Sequence, residues 1–542
     1  MIKLNKKQLV FSTYDRLLLV ASWGWPGEYE SAKYVMEVEE LEEKHNVKRN
    51  ILKDSDTRFS STSAIMYLLK KHLPNLRDKI DLMIFIQDTI LLRQESSGSR
   101  LERYLKTLEI ERGELKKELY DILRTYSGKK VVSELEEVSN KKFNKIIRFA
   151  PGVISSFTHK GILYTWYYKG VYNLIRNFVA LHVYMKLLEF DNTQKLAVIV
   201  DTTHGINYFA IAVRDGVTVA TALYATRRIF DEKPLEELVI YHYNSDPFFL
   251  LGEKSIYRVT PSLKIHLLNK TFVVRSRKSS LQTLLESAFA LREKIEVKPE
   301  DISFGKIMAK SKDSLLRGTI VWALRRIMNV GKIPSEEELK NMYDKIRVKF
   351  SLGKEPNIRK ITYTNIQPEL RFVNLLILCR ILRNFAEKIK VSDEIKGIIL
   401  SSIKKAIKNT SNESKDFESL LSDLENLKFM CFKFKPICKC AERFYDEPIN
   451  SLVYHEFNEK ENFMKKGPKW KAVTENISKL ILQGKTKAIF IRKPIKAIIS
   501  LDKGVDKRNY FAHAGLAYGL PWILAEVNEE LILCLGKDKI DC

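Results

Sequence analysis

Cysteine is scarce in this chain: Cys379, Cys431, Cys438, Cys440, Cys534 and Cys542 are all it has in 542 residues. None forms a C-x-x-C pair, and Cys438-Lys439-Cys440 is too tight for a tetrahedral zinc site, whose cysteines usually stand about two to four residues apart. Buried or free thiols are the expectation, with no metal. Glycine (22) and proline (15) are too few for a collagen-like, mucin-like or disordered chain. Long apolar runs are missing as well. A spanning helix needs about 18 uninterrupted apolar residues, and the best stretch, 161–188, is broken by Lys169, Arg176, Asn177 and His182. The first residues lead into a Leu/Val run carrying Asp15 and Arg16, without the small-residue cleavage signal of a secreted precursor. The sequence predicts a soluble, cytoplasmic protein with no membrane partner.

Nucleotide-cofactor signatures are also absent. No G-x-G-x-x-G is present, and Gly484-Lys485-Thr486 resembles the tail of a P-loop without its upstream glycine. Redox chemistry and ATP hydrolysis lose ground, and no cofactor is expected.

What the chain has in excess is positive charge: 92 Lys and Arg against 67 Asp and Glu, a formal net charge of +25. Spread along the chain, that surplus makes a long-range field that attracts polyanions. Abundant Lys and Glu also solubilise and thermostabilise proteins, which accounts for the number of charges but not for their sign. The length calls for two or three domains at roughly 100–200 residues each.

Up to about residue 275, short β-rich apolar runs alternate with helical segments, the pattern of an α/β, doubly wound parallel sheet. Leu17–Ala21 reads as a buried first strand, residues 28–43 as the helix behind it, residues 48–52 as a strand and Ser60–His72 as a helix. Ile80–Gln87 is a further strand, and residues 101–126 belong to a helical insertion spanning about 95–140. Lys145–Phe149, a long helix over 162–188, and the strands Leu196–Val200 and Leu238–Tyr243 follow. Beyond 275 the pattern reads as all-α, with helices over 280–295, 314–328, 335–348 and 368–388. Ser335 and Glu338 after Pro334 make a capping box. Turns at Gly467-Pro468 and at Pro494 interrupt the remainder.

In an open α/β sheet, ligands bind beyond the carboxyl ends of the strands. Three loops there carry candidates. Ser22-Trp23-Gly24-Trp25-Pro26-Gly27 offers a hydroxyl, close backbone approach, and a Trp to stack on a base, or else it is a turn with a packing Trp. Asp88-Thr89 reads equally as a ligand contact and as a helix cap. Asp201-Thr202-Thr203-His204-Gly205-Ile206-Asn207 is denser in polar and glycine positions than a crossover needs, which favours binding, although His204 alone suits a capped turn. A fourth polar run, Asn244-Ser245-Asp246-Pro247, follows the last strand.

Near the end stands Arg508-Asn509-Tyr510-Phe511-Ala512-His513-Ala514-Gly515. On a helix, a guanidinium, an amide and an imidazole fall within about one and a half turns. Cleaving RNA without metal needs proton transfer, which imidazole performs near neutrality, and charge on the phosphorane, which arginine supplies in a planar fork. About one such Arg-to-His spacing is expected by chance, and Arg176-Asn177 with His182 is a second one. Its place in an apolar helix of the α/β half reads as structural.

Taken together, Ser22-Trp23-Gly24, Asp88-Thr89, the 201–207 loop, Asn244–Pro247 and the Arg508–Gly515 run resemble the ancillary ribonucleases of type III CRISPR systems. Those proteins join a CARF sensor domain, Rossmann-like in fold, to a helical HEPN ribonuclease domain. The resemblance implies a CARF-like sensor over 1–275, a helical linker over 276–430 and a HEPN region over 431–542. It implies a homodimer whose sensor binds a cyclic oligoadenylate, most often cyclic tetra-adenylate, and whose paired HEPN domains cut single-stranded RNA without metal, in antiviral defence. Carried over by motif, Arg508, Asn509 and His513 are catalytic. Ser22, Trp23, Gly24, Asp88, Thr89, Thr202, Thr203, His204, Gly205 and Asn207 contact the ligand. A rival reading is a ligand-gated transcriptional regulator that grips DNA through basic helices. A third has the sensor loops degrade the cyclic activator near Thr202, Thr203 or His204.

Overall fold

The structure is a computed structural model. It describes residues 8–24, 26, 29–41, 47–89, 109–125, 129–152, 156–159, 161–166, 170–204, 207–231, 233, 235–246, 262–275, 281–289, 327, 330–352, 355–387, 398–399, 486–491, 522–527 and 530–535.

After the short β1 (Gln8–Leu9), the continuous apolar run becomes β2 (Arg16–Trp23), whose residues from Leu17 onward are all buried. Continuous burial is what a parallel strand covered on both faces requires. The chain then departs from the sequence reading. The helix expected over 28–43 is instead strand β3 (Ala32–Leu41), paired antiparallel with β4 (Val47–Arg58). Its burial alternates, with Ala32, Tyr34, Met36 and Val38 inward, so period-two patterning overrides the helical preference of its three glutamates.

Helix α1 (Ser61–His72) leads to β5 (Ile80–Gln87), buried along its whole length. The insertion holds a short strand β6 (Glu109–Glu111) and helices α2 (Arg112–Thr125) and α3 (Lys129–Ser139), and the chain rejoins the sheet as β7 (Ile147–Ala150). The long helix expected over 162–188 is divided. A hairpin, β8 (Ser156–His159) with β9 (Ile162–Trp166), comes first, and Gly170, in the left-handed region at φ 89°, then caps α4 (Val171–Leu188). The β-branched and aromatic run Ile162–Trp166 suits a strand, and glycine adopts the left-handed conformation at no steric cost. Strand β10 (Lys195–Asp201), α5 (Asn207–Phe230), β11 (Glu237–Ser245) and β12 (Ser262–Arg275) complete the first sheet.

Its order is β1-β3-β12-β11-β10-β2-β5-β7, with β4 also on β3. Strands β11, β10, β2, β5 and β7 are mutually parallel. The chain runs outward from β2 to β5 and β7, then crosses back through α4 to β10 on the other side of β2. Right-handed crossovers in opposite directions place α1 on one face and α4 and α5 on the other. The parallel core is therefore doubly wound.

The segment expected as an all-helical linker is mixed. Helices α6 (Leu281–Phe289), α7 (Glu336–Asp344) and α8 (Val373–Glu387) are present. The expected capping box is there: Glu338 N donates to Ser335 Oγ at 3.1 Å, and Ser335 N donates to Glu338 Oε2 at 2.8 Å. The helix expected to reach Val348 ends at Asp344, however, and a hairpin of β13 (Arg347–Leu352) and β14 (Ile358–Thr364) follows. Alternation of apolar with Lys, Arg and Thr positions makes these half-buried strands. They join β6 of the insertion and the β8–β9 hairpin in a second sheet, ordered β6-β13-β14-β9-β8.

The helix expected over 314–328 lies almost wholly outside the described residues, as do the turns at Gly467-Pro468 and Pro494. From 388 onward the described elements are strands β15 (Ile398–Ile399), β16 (Thr486–Ile491), β17 (Trp522–Val527) and β18 (Glu530–Leu535), antiparallel in the order β15-β18-β17-β16. Their apolar runs are of strand length, whereas the sequence reading made this region helical. No described helix is long and apolar enough to cross a membrane.

Candidate functional site

Strand order reverses between β2 and β10, which makes the crevice beyond their carboxyl ends the topological switch point of the sheet. Parallel register sets Asp201 beside Ala21, so Ser22 and Trp23 reach just past the end of β10. The amino terminus of α1 enters the same place.

Asp201 organises it. The carboxylate is buried, and Oδ2 accepts from the hydroxyls of Ser61 at 2.8 Å and Thr62 at 2.7 Å. Oδ1 accepts from the Thr203 hydroxyl at 2.6 Å and the Thr203 N–H at 3.1 Å. Thr203 in turn accepts from Ser245 N at 3.0 Å, which fastens the fourth polar run to the third. Thr202 Oγ1 lies 2.8 Å from His242 Nε2, and its N–H donates to the Tyr243 carbonyl at 3.1 Å. Asp246 is drawn aside to His266, 2.8 Å away.

His204 is half-buried and stacks on Tyr29, with ring centroids 4.3 Å apart. Its Nε2 accepts from the Ser61 N–H at 3.2 Å, which a protonated ring cannot do. Burial lowers its pKa from the ordinary 6.5 to about 4, against the opposing pull of Asp201, so the imidazole is neutral at pH 7.

The candidates read from the sequence fare differently. Ser22 lies at the end of β2, buried, and its hydroxyl has no hydrogen-bond partner among the described residues. Thr89, after β5, is likewise buried with no partner for Oγ1 among them. Gly24 is half-buried beside them. Trp23 corrects the expectation of a stacking platform: it is fully buried, its Nε1 donates to Thr62 at 2.9 Å, and its ring meets Tyr29 edge-on. Asp88 is corrected too. Its carboxylate is buried and accepts from Arg112, Tyr363 and the Gly152 N–H, so it serves contacts within the fold. Asn207 opens α5, while Gly205 and Trp25 lie outside the described residues. Arg508, Asn509 and His513 lie outside them as well. In α4, Arg176, Asn177 and His182 are all buried, and Asn177 Nδ2 donates to the carbonyls of Leu370 and Arg371 at 3.1 Å each.

Sequence reasoning missed Asp201 as the organising group, along with Ser61, Thr62, Tyr29 and the pair Gln87–Tyr208, in which the Tyr208 hydroxyl donates to Gln87 Oε1 at 2.7 Å. The run Ser60-Ser61-Thr62-Ser63 was the available signal: one hydroxyl caps a helix, and four exceed that need. No cluster of His, Cys, Asp and Glu suited to a metal occurs among the described residues.

No curated protein matches the chain. A family model does: residues 18–247, the span from β2 through β11 and the loops just described, match the family described as CRISPR system endoribonuclease Csx1, CARF domain, which supports a CRISPR-associated CARF protein.

Proposed function

We propose that the crevice between β2 and β10 binds a cyclic oligoadenylate and that the ligand activates a metal-independent cleavage of single-stranded RNA by the Arg508, Asn509 and His513 group. The observation that carries the binding reading is the hydroxyl of Ser22, buried without a hydrogen-bond partner among the described residues, at the switch point between two strands that the family match spans. A buried hydroxyl without a partner costs free energy, and a ligand phosphate or ribose placed there recovers it. The net charge of +25 favours both polyanionic partners.

Thr89, Gly24, Thr202, Thr203, Gly205 and Asn207 complete the proposed contact set. Trp23 and His204 act as its packed walls. A ring with twofold character suits an isologous homodimer, in which each protomer presents the same loops. In the RNA site His513 moves the proton of the attacking 2′-hydroxyl, Arg508 neutralises the crowded phosphate, and Asn509 orients one or the other. The regulator reading has no observation in its favour.

The test is an RNA cleavage assay in chelator, with and without cyclic tri-, tetra- and hexa-adenylate. Cleavage should appear with one ring, and His513→Ala should abolish it while ring affinity stays intact. Turnover in the His513→Ala variant removes the catalytic assignment, and cleavage that ignores every ring removes the activator.

A further inference from the structure

Arg112 is the first residue of α2, yet it is fully buried, and its three nitrogens reach three different segments. Nε donates to Asp88 Oδ2 at 2.6 Å, Nη1 to the Tyr343 carbonyl at 2.8 Å, and Nη2 to the Phe149 carbonyl at 2.7 Å. The other oxygen of Asp88 accepts from the Tyr363 hydroxyl at 2.6 Å and from Gly152 N at 3.2 Å. Burial first, and the Asp88 charge second, hold the Tyr363 phenol well above its ordinary range, so it keeps the proton it donates. These bonds form one buried network. It ties the ends of β5 and β7 to α7 and β14, two elements beyond the residues that the family match covers.

The residue before Asp88 belongs to the crevice. Gln87 accepts from Tyr208 at the start of α5, and Gly152 packs so tightly on it that a Cβ there would stand 2.6 Å from both Cβ and Oε1 of Gln87. Adjacent positions on one strand end thus serve the crevice and the ion pair. A buried ion pair adds little stability over an apolar filling, because desolvation offsets the Coulomb attraction, whereas it strongly penalises geometries that separate the charges. That property suits a positioning device.

We infer that Asp88, Arg112 and Tyr363 form a positioning node that couples occupancy of the crevice to the arrangement of the β13–β14 hairpin. The inference rests on the crevice being the oligoadenylate site. Coupling of this kind is reciprocal: if the ligand alters the hairpin, a change at the hairpin end of the node alters ligand affinity by the same free energy. Tyr363 and Tyr208 contact different members of the Gln87-Asp88 pair, so their effects on affinity should be non-additive.

The experiment uses the full chain, with Tyr363→Phe, Tyr208→Phe and the double variant, each of which removes one hydroxyl and keeps the ring. Cyclic tri-, tetra- and hexa-adenylate are titrated into each protein, and amide hydrogen exchange over residues 347–364 is followed in the wild type with and without the ring that binds. The node predicts that Tyr363→Phe weakens binding about threefold to tenfold, that the double variant loses less than the product of the single losses, and that the ring alters exchange in the hairpin. Binding with unchanged hairpin exchange and multiplicative losses overturns the node alone. Failure of every ring to bind the wild type overturns the crevice reading, and the node with it.

Discussion

The two oxygens of Asp201 receive hydroxyls from β10's own loop and from α1, residues about 140 positions apart in the chain. Replacing Asp201 by Ala strips the acceptor from Ser61, Thr62 and Thr203 at once. Each hydroxyl left dry costs a fraction of the usual 1–3 kcal/mol, so a loss of about 2–5 kcal/mol in a denaturant titration is expected. A loss below about 1 kcal/mol would show that water replaces the carboxylate and that Asp201 organises nothing. At this scale the sequence exposed only half of the site. Loops after apolar strands were legible because continuous burial marks parallel strands, and so Ser22, Thr202 and Thr203 were named. Which side chain turns inward was not legible: Trp23 and Asp88 have the chemistry of ligand contacts, and distant partners, Thr62 for one and Arg112 for the other, claim them. Contacts made across such separations leave no local pattern.

Among the elements, α5 packs tightly on α4 at Gly216, where a Cβ would stand 2.7 Å from Val179 Cβ and 2.8 Å from the Arg176 carbonyl. Gly216→Ala must force the helices apart or distort one of them, a cost of about 1–3 kcal/mol. The gain in helix propensity offsets roughly 1 kcal/mol of it. Thermal unfolding should show a net loss, and a variant as stable as the wild type would mean that the two helices slide freely. The strands of the parallel core and the cap of α7 were readable to within a few residues, since uninterrupted apolar runs and Ser335 with Glu338 have strong local signals. Strand β3 was not. Its glutamates favour a helix, and only pairing with β4 and β12 makes its period-two pattern decisive. The hairpin β13–β14 was lost for a related reason, because the helical pieces around it set the reading of the whole stretch.

For the molecule as a whole, acidification should be destabilising before most carboxylates titrate. His182 is buried with no partner for Nε2 among the described residues, and burial, followed by the charges of Arg148 and Lys116, holds its pKa well below the ordinary imidazole value. Burial lowers His204 to about 4 and lowers His242 as well. The unfolded chain takes up protons near 6.5 that the folded chain refuses, so stability falls as pH drops below about 6.5. Lowering the pH from about 7.5 to about 5.5 should reduce the melting temperature, and His182→Leu should flatten that slope. An unchanged slope in His182→Leu would mean that this ring does not contribute. Glu134 works the other way: burial raises its pKa, so the folded state takes up a proton more readily than the unfolded chain and this group stabilises the fold on acidification.

The most direct measurement is a calorimetric titration of cyclic tri-, tetra- and hexa-adenylate into the wild type and Ser22→Ala, with the melting temperature of each protein recorded without ligand. The Ser22 hydroxyl has no partner to lose among the described residues, so its removal should leave stability unchanged or slightly raised, while affinity for the one ring that binds falls about fivefold to tenfold. Saturable binding of one ring with that split places the ligand at the end of β2. Equal affinity in both proteins, or no binding of any ring, would contradict it.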